Sequence, residues 1–148
     1  MQIRTVTLTV SASRNTVYKF LADIENLPKW ATEFCERMEL RHSGWWVYTA
    51  QGEMMVEAHT DDRTGTIDLR IGPSANELDL FPLRVLSLSK KRTLLNFTFI
   101  QSPEQPDEDY EERFLSLLIE MQGLIRRFGG GKLHAPEIAS GLSILGLN

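Results

Sequence analysis

The stretch DYEERFLSLLIEMQGLIRRF, residues 109–128, has the pattern of one long amphipathic helix. Its apolar side chains recur at steps of three and four residues and share one helix face: Phe114, Leu117, Leu118, Met121, Leu124, Ile125 and Phe128. The charged side chains that fall off this face are Glu111, Glu112, Glu120, Arg126 and Arg127. At the helical rise the stretch is about 30 Å long. An apolar surface of similar length must therefore cover it.

Both ends of this helix carry sequence signals. Asp109 precedes Glu112 by three residues, the spacing of a capping box in which Asp is the cap. Basic side chains in the last turn complement the negative end of the helix, and the glycines at residues 129–131 end it. The sequence therefore predicts a helix over residues 109–128.

The chain before this helix has the period-two pattern of strands, interrupted by a short helical region. Strands are predicted over residues 3–10, 34–41, 45–50, 53–60, 66–71, 77–89 and 94–101. The segment 77–89 is bent or broken at Pro82 and gives one or two strands. Ser11 and Ser13 offer hydroxyl caps for a helix that begins near Arg14. A second short helical turn follows around Trp30.

Short connections between successive strands imply a mostly antiparallel sheet, and such a sheet twists enough to wrap around a helix. The predicted fold class is therefore α+β. We expect a curved antiparallel sheet of about seven strands wrapped around the long C-terminal helix, with two short helices after the first strand. The length of 148 residues suits one domain of this kind.

Composition excludes several classes of function. The formal net charge of −4 disfavours nucleic-acid binding, which needs a basic face. The single cysteine, Cys35, excludes an intrachain disulfide and is expected to be an inert thiol in or near the core. No apolar run resembles a signal peptide or reaches transmembrane length. The sequence therefore predicts a soluble cytoplasmic protein without a transmembrane segment.

The sequence also lacks motifs for a cofactor or a metal. The three histidines are isolated and do not have metal-ligand spacing. The glycine run at residues 129–131 follows a helix, whereas a phosphate-binding loop precedes one. We therefore predict no metal and no cofactor.

A group of residues after the first strand matches a known family. The residues that carry the match are Ser11, Ala12, Ser13, Val17, Phe20, Leu21, Asp23, Leu27, Pro28 and Trp30. Among them, Asp23, Pro28 and Trp30 come close to the pattern D-x-x-x-x-P-x-W. Together with the element order and the long terminal helix, they make residues 1–130 resemble the START-like helix-grip superfamily, also called SRPBCC. Within it, the chain is most similar to the polyketide cyclase/dehydrase-like group.

In that superfamily the curved sheet and the long helix enclose an apolar cavity, which in different members holds lipids, sterols, hormones, polyketides or quinones. Some members catalyse cyclisation or dehydration, and others carry ligands or contact proteins, so the fold alone does not select the function. The resemblance implies a helix-grip domain over residues 1–131, in which Trp30 plugs one end. An apolar C-terminal extension over residues 132–148 follows it.

A ligand pocket in this fold needs apolar walls with a few polar groups pointing inward. The predicted ligand-binding residues are Met38, Trp45, Tyr48, Met54, Arg84, Asn96, Phe97, Leu118, Met121 and Ile125. Methionine suits a deformable apolar pocket, and Arg84 is a charge within the apolar segment FPLRVLSL. The same apolar residues also suit a solid core, and Arg84 also suits the solvated face of an edge strand.

The catalytic candidates are Glu57 and His59, which lie two residues apart and so share one face of their strand. Histidine titrates near neutral pH and suits acid–base catalysis, provided that this face points inward. The alternate face, which carries Val56, is more apolar. We therefore favour an outward polar ladder of Glu57 and His59 with Asp68 and Arg70 of the next strand.

The C-terminal extension has apolar residues at helical spacing after Pro136, among them Ile138, Leu142 and Leu145. Left in water, these side chains would form an exposed apolar patch. We therefore expect the extension to dock on its own domain or on a partner subunit, as in a homodimer.

Three functions are consistent with these patterns. The first is binding or carriage of a small hydrophobic ligand, such as a lipid, an isoprenoid or quinone, or a polyketide-like molecule, in an internal cavity. The second is a cyclase- or dehydratase-like enzyme acting on an aromatic or polyketide substrate, which requires at least two of His59, Glu57 and Arg84 to converge in the pocket. The third is a protein-contact module, for which an occluded interior and the apolar tail would be the signs.

Overall fold

One sheet and one long helix make up most of the structure. The computed structural model describes residues 1–135. The strands are β1 Ile3–Val10, β2 Cys35–Arg41, β3 Gly44–Thr49, β4 Gly52–Asp61, β5 Thr66–Gly72, β6 Asp79–Ser89, β7 Arg92–Ile100 and β8 Gly131–His134. The helices are α1 Arg14–Ala22, α2 Leu27–Trp30 and α3 Asp107–Arg127, with a 3₁₀ turn over Ile24–Asn26. The predicted α+β fold, with two short helices after the first strand, is confirmed.

The eight strands form a single antiparallel sheet in the order β2-β3-β4-β5-β6-β7-β1-β8. Strands β2 to β7 are neighbours in chain order, as the predicted succession of hairpins requires. Strand β1 instead lies between the two last strands, with Val6 opposite Phe97 on β7 and Leu8 opposite Leu133 on β8. The segment that contains Pro82 forms one continuous strand, β6.

The inner face of the sheet packs on α3. Side chains alternate between the two faces along each strand, so every second residue points toward the helix. Leu8 of β1 and Leu95 of β7 are fully buried on this face, and Leu118 and Met121 of α3 are fully buried in the same core. Burying each such side chain contributes about 1.5–3 kcal/mol. This interface therefore forms a large part of the hydrophobic core.

Helix α3 begins earlier than predicted and without the predicted cap. Pro106 occupies the N-cap position and makes no side-chain cap hydrogen bond. The proposed capping box of Asp109 with Glu112 is therefore wrong. Pro106 has an extended backbone with φ of −60° and ψ of 148°, and the acidic residues that follow it, starting at Asp107, fill the first turn. Their charge stabilises the positive end of the helix without a capping box.

The chain leaves α3 through glycines and returns to the sheet as β8. The N–H of Gly130 donates to the carbonyl of Ile125 at 2.8 Å and so satisfies one of the last helix carbonyls. At Gly131 a Cβ atom would lie 1.7 Å from the carbonyl oxygen of Thr9, so a larger residue would prevent β8 from approaching β1. The sequence analysis did not predict β8, and its proposed helical pattern after Pro136 lies outside the described residues.

The short helices close one end of the sheet. Ser13 Oγ accepts a hydrogen bond from the N–H of Thr16 at 3.2 Å, which confirms the predicted hydroxyl cap of α1. Trp30 in α2 is 5% exposed, and its ring centroid lies 5.9 Å from that of Phe97 on the inner face. The indole therefore seals this end of the core.

Candidate functional site

A pocket of about 350 Å³ lies between α3, the inner face of the sheet and the segment that follows α2. Its walls are mostly apolar: they include Leu69 and Ile71 from β5, Phe81 from β6, Phe99 from β7 and Leu117 from α3. The volume falls in the range typical of small-molecule sites. This space is the candidate functional site.

The mouth of the pocket is polar and is formed by turns at one end of the sheet. Gln51 in the β3–β4 turn, Asp79 at the start of β6 and Ser102 after β7 all line it. Ser102 Oγ donates to Asp79 Oδ2 at 2.5 Å, which ties two sides of the mouth together. The pocket therefore has a polar rim and an apolar interior.

Gln101 holds the segment that leads from β7 into α3. Its Nε2 donates to the carbonyl of Gln105 and to Asp107 Oδ1, each at 2.8 Å, and its Oε1 accepts from the N–H of Gln2 at 2.8 Å. The Gln101 side chain is buried, so these bonds replace contacts with water. They fix the start of α3 against β1 and thereby the residues of α3 that face the pocket.

Packed aromatic rings form one wall of the pocket. The Phe99 ring packs edge-on against Phe81 with centroids 6.3 Å apart and stacks on Tyr110 of α3 at 4.7 Å. Tyr110 Oη donates to the carbonyl of Phe99 at 2.7 Å, which satisfies the hydroxyl in an apolar surrounding. The wall is therefore held from both the sheet and the helix.

Arg113 of α3 brings a positive charge into this apolar space. One amino group, Nη2, donates to Glu120 Oε1 at 3.3 Å, and the guanidinium carbon lies 5.0 Å from the centroid of the Phe34 ring. The other amino group, Nη1, is buried and has no hydrogen-bond partner. Among residues 1–135 it is the one buried side-chain nitrogen or oxygen without a partner. A buried unpaired donor costs stability, about 1–3 kcal/mol or more when it is charged.

Glu120 lies about two helical turns after Arg113 and is almost fully buried, with 1% of its side chain exposed. Its Oε2 accepts from the backbone N–H groups of Glu33 and Phe34 at 3.0 Å each. Burial raises the pKa of this carboxyl, while the charge of Arg113 and the two backbone donors oppose that rise. These two hydrogen bonds hold the segment after α2 against α3.

Cys35 lies next to this pair and is 3% exposed. Burial, with a smaller contribution from the charge of Glu120, raises the pKa of its thiol to about 11. The thiol is therefore protonated at neutral pH and is a poor nucleophile. This agrees with the expectation of an inert core thiol.

The structure distributes the predicted apolar ligand-binding residues between the pocket and the core. Met54 lines the pocket. Met38 and Trp45 are half-buried against the core, and the fully packed set consists of Phe97, Leu118, Met121 and Ile125. Cavity walls and a solid core use the same apolar side chains on the same faces, so sequence pattern does not separate them.

Arg84 and Asn96 lie on the outer face of the sheet, so neither lines the pocket as predicted. Arg84 follows the fully buried Leu83, so it points the other way, where its Nη1 donates to Asp68 Oδ1 at 2.8 Å. Asn96 lies opposite Arg84 on β7, and its Oδ1 accepts from Thr7 Oγ1 at 2.8 Å. Both side chains are engaged in polar pairs away from the pocket.

Tyr48 also lies on the outer face and does not line the pocket as predicted. Its hydroxyl donates to Glu39 Oε2 at 2.9 Å. The structure also places Glu57 and His59 on this face, with 46% and 62% of their side chains exposed. Their neighbour Val56 takes the buried position. His59 Nε2 lies 3.3 Å from Glu57 Oε2, so the two form part of a surface ladder and do not enter the pocket.

The sequence analysis did not identify Arg113. It placed Glu120 outside the apolar face of the helix and did not predict that this side chain is buried. The pocket-facing residues of α3 are Asp109, Arg113, Leu117 and Glu120, at steps of four, four and three. This spacing defines a helix face that overlaps the apolar one at Leu117. The signal was present in the sequence, but its mixed polarity resembles a solvated face.

Two other kinds of site lack support in the part of the chain that the structure covers, residues 1–135. No group of three or more His, Cys, Asp or Glu side chains is arranged to hold a metal ion. No helix is both long and apolar enough to cross a membrane.

No protein-family model matches this chain, and no curated protein matches it. Solved structures do match. XoxI from Bacillus cereus has a TM-score of 0.66 at 15% identity, over 86% of this chain and 96% of its own. The aromatase/cyclase ZhuI from Streptomyces sp. R1128 has a TM-score of 0.61 at 21% identity, over 85% of this chain and 95% of its own.

A START superfamily protein from Mycobacterium smegmatis has a TM-score of 0.57 at 16% identity, over 84% of this chain and 97% of its own. This chain has the START-like helix-grip fold. The resemblance inferred from the sequence is thus confirmed for the fold. At such identities the likeness shows the helix-grip fold alone, so the ligand or reaction must be argued from the pocket.

Proposed function

We propose that this helix-grip protein binds or carries a small hydrophobic ligand in the pocket between α3 and the sheet. The observation that carries the proposal is an apolar space of about 350 Å³ that the core leaves unfilled. Well-packed interiors contain few voids larger than a water molecule. An apolar space of this size, opening through a polar rim, suits a lipid, an isoprenoid or quinone, or a polyketide-like molecule.

The enzymatic alternative loses the residues on which it depended. A cyclase or dehydratase using His59, Glu57 and Arg84 needed at least two of them in the pocket, and all three lie on the outer face. The protein-contact alternative needed an occluded interior, which the pocket does not favour. Binding or carriage is therefore the function that the geometry supports best.

The test is native mass spectrometry of the protein purified from its own source, followed by denaturing extraction to identify any released molecule. We expect a bound apolar compound. A clean apo mass that a panel of lipids and quinones leaves unchanged would contradict the proposal and direct attention to protein contacts.

A cavity-filling variant makes the test specific to the pocket. Ile71→Trp places a large ring where Ile71 lines the space and is expected to abolish binding of the neutral apolar dye N-phenyl-1-naphthylamine. Leu94→Trp is the matched control, because Leu94 is half-buried on the outer face of β7. Circular dichroism of both variants would check folding. Equal dye binding by the two variants would place the site elsewhere.

A further inference from the structure

The tip of the β6–β7 hairpin, residues 86–92, projects past both strands that flank the hairpin. Register pairing of β6 with β5 ends at Arg84, and that of β7 with β1 ends at Thr93. Among the described strands, the tip residues therefore pair only within the hairpin. All of them are exposed. The tip is thus free to meet a surface larger than a small ligand.

This tip combines apolar side chains with positive charge. Leu86 and Leu88 are 45% and 52% exposed. The cations that follow them are Lys90, Lys91 and Arg92. Within the described part of the chain, none of the three forms an ion pair. Residues 80–101 contain no acidic side chain, so the charge of the tip is not balanced locally.

Further basic side chains lie at the same end of the molecule. Thr93 Oγ1, at the base of the tip, donates to the carbonyl of Ala12 at 2.8 Å. The neighbouring N–H of Ser11 donates to the carbonyl of Phe128, where α3 ends, at 3.0 Å. The end of α3 and the start of β8 therefore lie near the tip. The exposed cations that they add are Arg126, Arg127 and Lys132.

Acidic side chains gather at the other end, where the pocket opens. Residues 73–79 and 101–109 contain six acidic residues and no basic one. At the basic end, Asp61 and Asp62 lie in the β4–β5 turn, and Asp62 is paired with Arg14. An anionic surface therefore attracts the end with the tip and repels the end with the pocket mouth.

The leucines decide which anionic surface fits. The interface of an anionic bilayer takes up apolar side chains and attracts nearby lysine and arginine. Nucleic acid would match the cations but would leave both leucines in water. Single strands also stack their bases on aromatic side chains, and the tip contains none.

We propose that residues 86–92 dock on an anionic phospholipid membrane, with Leu86 and Leu88 in the bilayer interface and the cations against the head groups. The mouth of the pocket then faces away from the bilayer. This inference goes beyond ligand binding in the pocket and does not depend on it.

The first test is co-sedimentation of the full-length protein with vesicles of phosphatidylcholine, either alone or with about 30% phosphatidylglycerol. We expect binding to the anionic vesicles and little to the neutral ones. Salt at about 1 M should release the protein, because the Debye length falls to about 3 Å. Absence of binding, or equal binding to both vesicles, would overturn the proposal.

The double variant Lys90→Gln/Lys91→Gln should bind the anionic vesicles roughly tenfold to thirtyfold more weakly, since each cation near such a surface contributes about fivefold. Arg37→Gln/Arg70→Gln is the matched control, because it removes the same charge from exposed positions on β2 and β5. The control should change binding by less than about twofold. Equal weakening in both variants would show that the tip is not the docking site.

Insertion of the tip is measured with a polarity-sensitive dye, nitrobenzoxadiazole, attached to Leu88→Cys. Cys35 is 3% exposed and should stay unlabelled. Anionic vesicles should shift the emission to the blue and brighten it. The same dye on Leu40→Cys, at a 64% exposed site of β2, is the control and should not respond.

Two results would contradict insertion into a membrane. An unchanged spectrum at position 88 would mean that the leucines stay in water. Tighter binding of a DNA duplex than of the vesicles, lost in Lys90→Gln/Lys91→Gln, would assign the tip to nucleic acid.

Discussion

Glu120 is the residue at which burial and charge oppose each other most directly. Only 1% of its side chain is exposed, and burial raises the pKa of the carboxyl. Arg113 and the backbone N–H groups of Phe34 and Glu33 oppose this rise without cancelling it. The folded protein therefore holds a proton on Glu120 more tightly than the unfolded chain does.

This raised pKa predicts a pH dependence of stability. The contribution of the proton on Glu120 is fully present below its unfolded pKa and is lost as pH rises through the higher folded pKa. The free energy of unfolding of the native protein, relative to Glu120→Gln, should fall as pH rises above about 4, the unfolded pKa of a glutamate. Urea unfolding of both proteins measures the difference. Glu112→Gln, at an exposed site of α3, is the control and should show no such trend.

The buried thiol of Cys35 should react slowly with alkylating reagents. A pKa of about 11 leaves little thiolate at pH ~8, and the side chain is buried. Iodoacetamide should label native Cys35 at least about a hundredfold more slowly than the urea-unfolded chain. Intact mass gives a direct readout because the sequence has a single cysteine. Similar rates in the two states would show that Cys35 is accessible and ionised.

The elements that shape the pocket mouth depend on single side chains. Gln101 is the clearest case, with hydrogen bonds that reach Gln2 next to β1, the 102–106 segment and the first turn of α3. Each bond replaces water contacts of a buried group. The position of the pocket-facing side of α3 therefore rests on this amide.

Gln101→Ala should destabilise the protein by about 1–3 kcal/mol, because it leaves buried partners without hydrogen bonds. Amide hydrogen exchange should increase most in residues 101–107. Gln122→Ala, half-buried on α3, provides the comparison and should cost less. A uniform rise in exchange across the sheet would instead indicate global destabilisation.

Element type was largely predictable from the sequence, whereas the direction of polar side chains was not. The period-two strands and the long apolar helix face appear in the structure close to the predicted bounds. The side-chain directions of Arg84 and Glu120 were not predicted, because a charged residue among apolar neighbours can lie on either the buried or the exposed face of its element. Burial was decided by partners distant in sequence, such as the N–H of Phe34, 86 residues before Glu120. The pairing of β8 with β1 likewise depends on a contact that no local pattern reveals.

In the part of the molecule that the structure describes, the sheet packs directly on α3 and the two leave a ligand-sized space beside that contact. A ligand that binds the folded state alone stabilises it by mass action, by about 2.7 kcal/mol at a concentration of a hundred times Kd. For a domain of this size, N-phenyl-1-naphthylamine at that excess should raise Tm by roughly 5–10 °C. Ile71→Trp, which fills the space, should show no such rise. An equal shift in both proteins would mean that the probe binds outside the pocket.

The place of β1 in the sheet has a consequence for the time course of folding. Ile3 pairs with Ile100, and Val10 pairs with both Thr93 and Gly131. Contacts between such distant residues carry a high entropic cost and slow the folding of the chain. During synthesis, β1 emerges before either of its neighbours and waits until both β7 and β8 have been made. Its apolar side chains stay unpaired over that interval, which is when aggregation or chaperone binding would compete with folding.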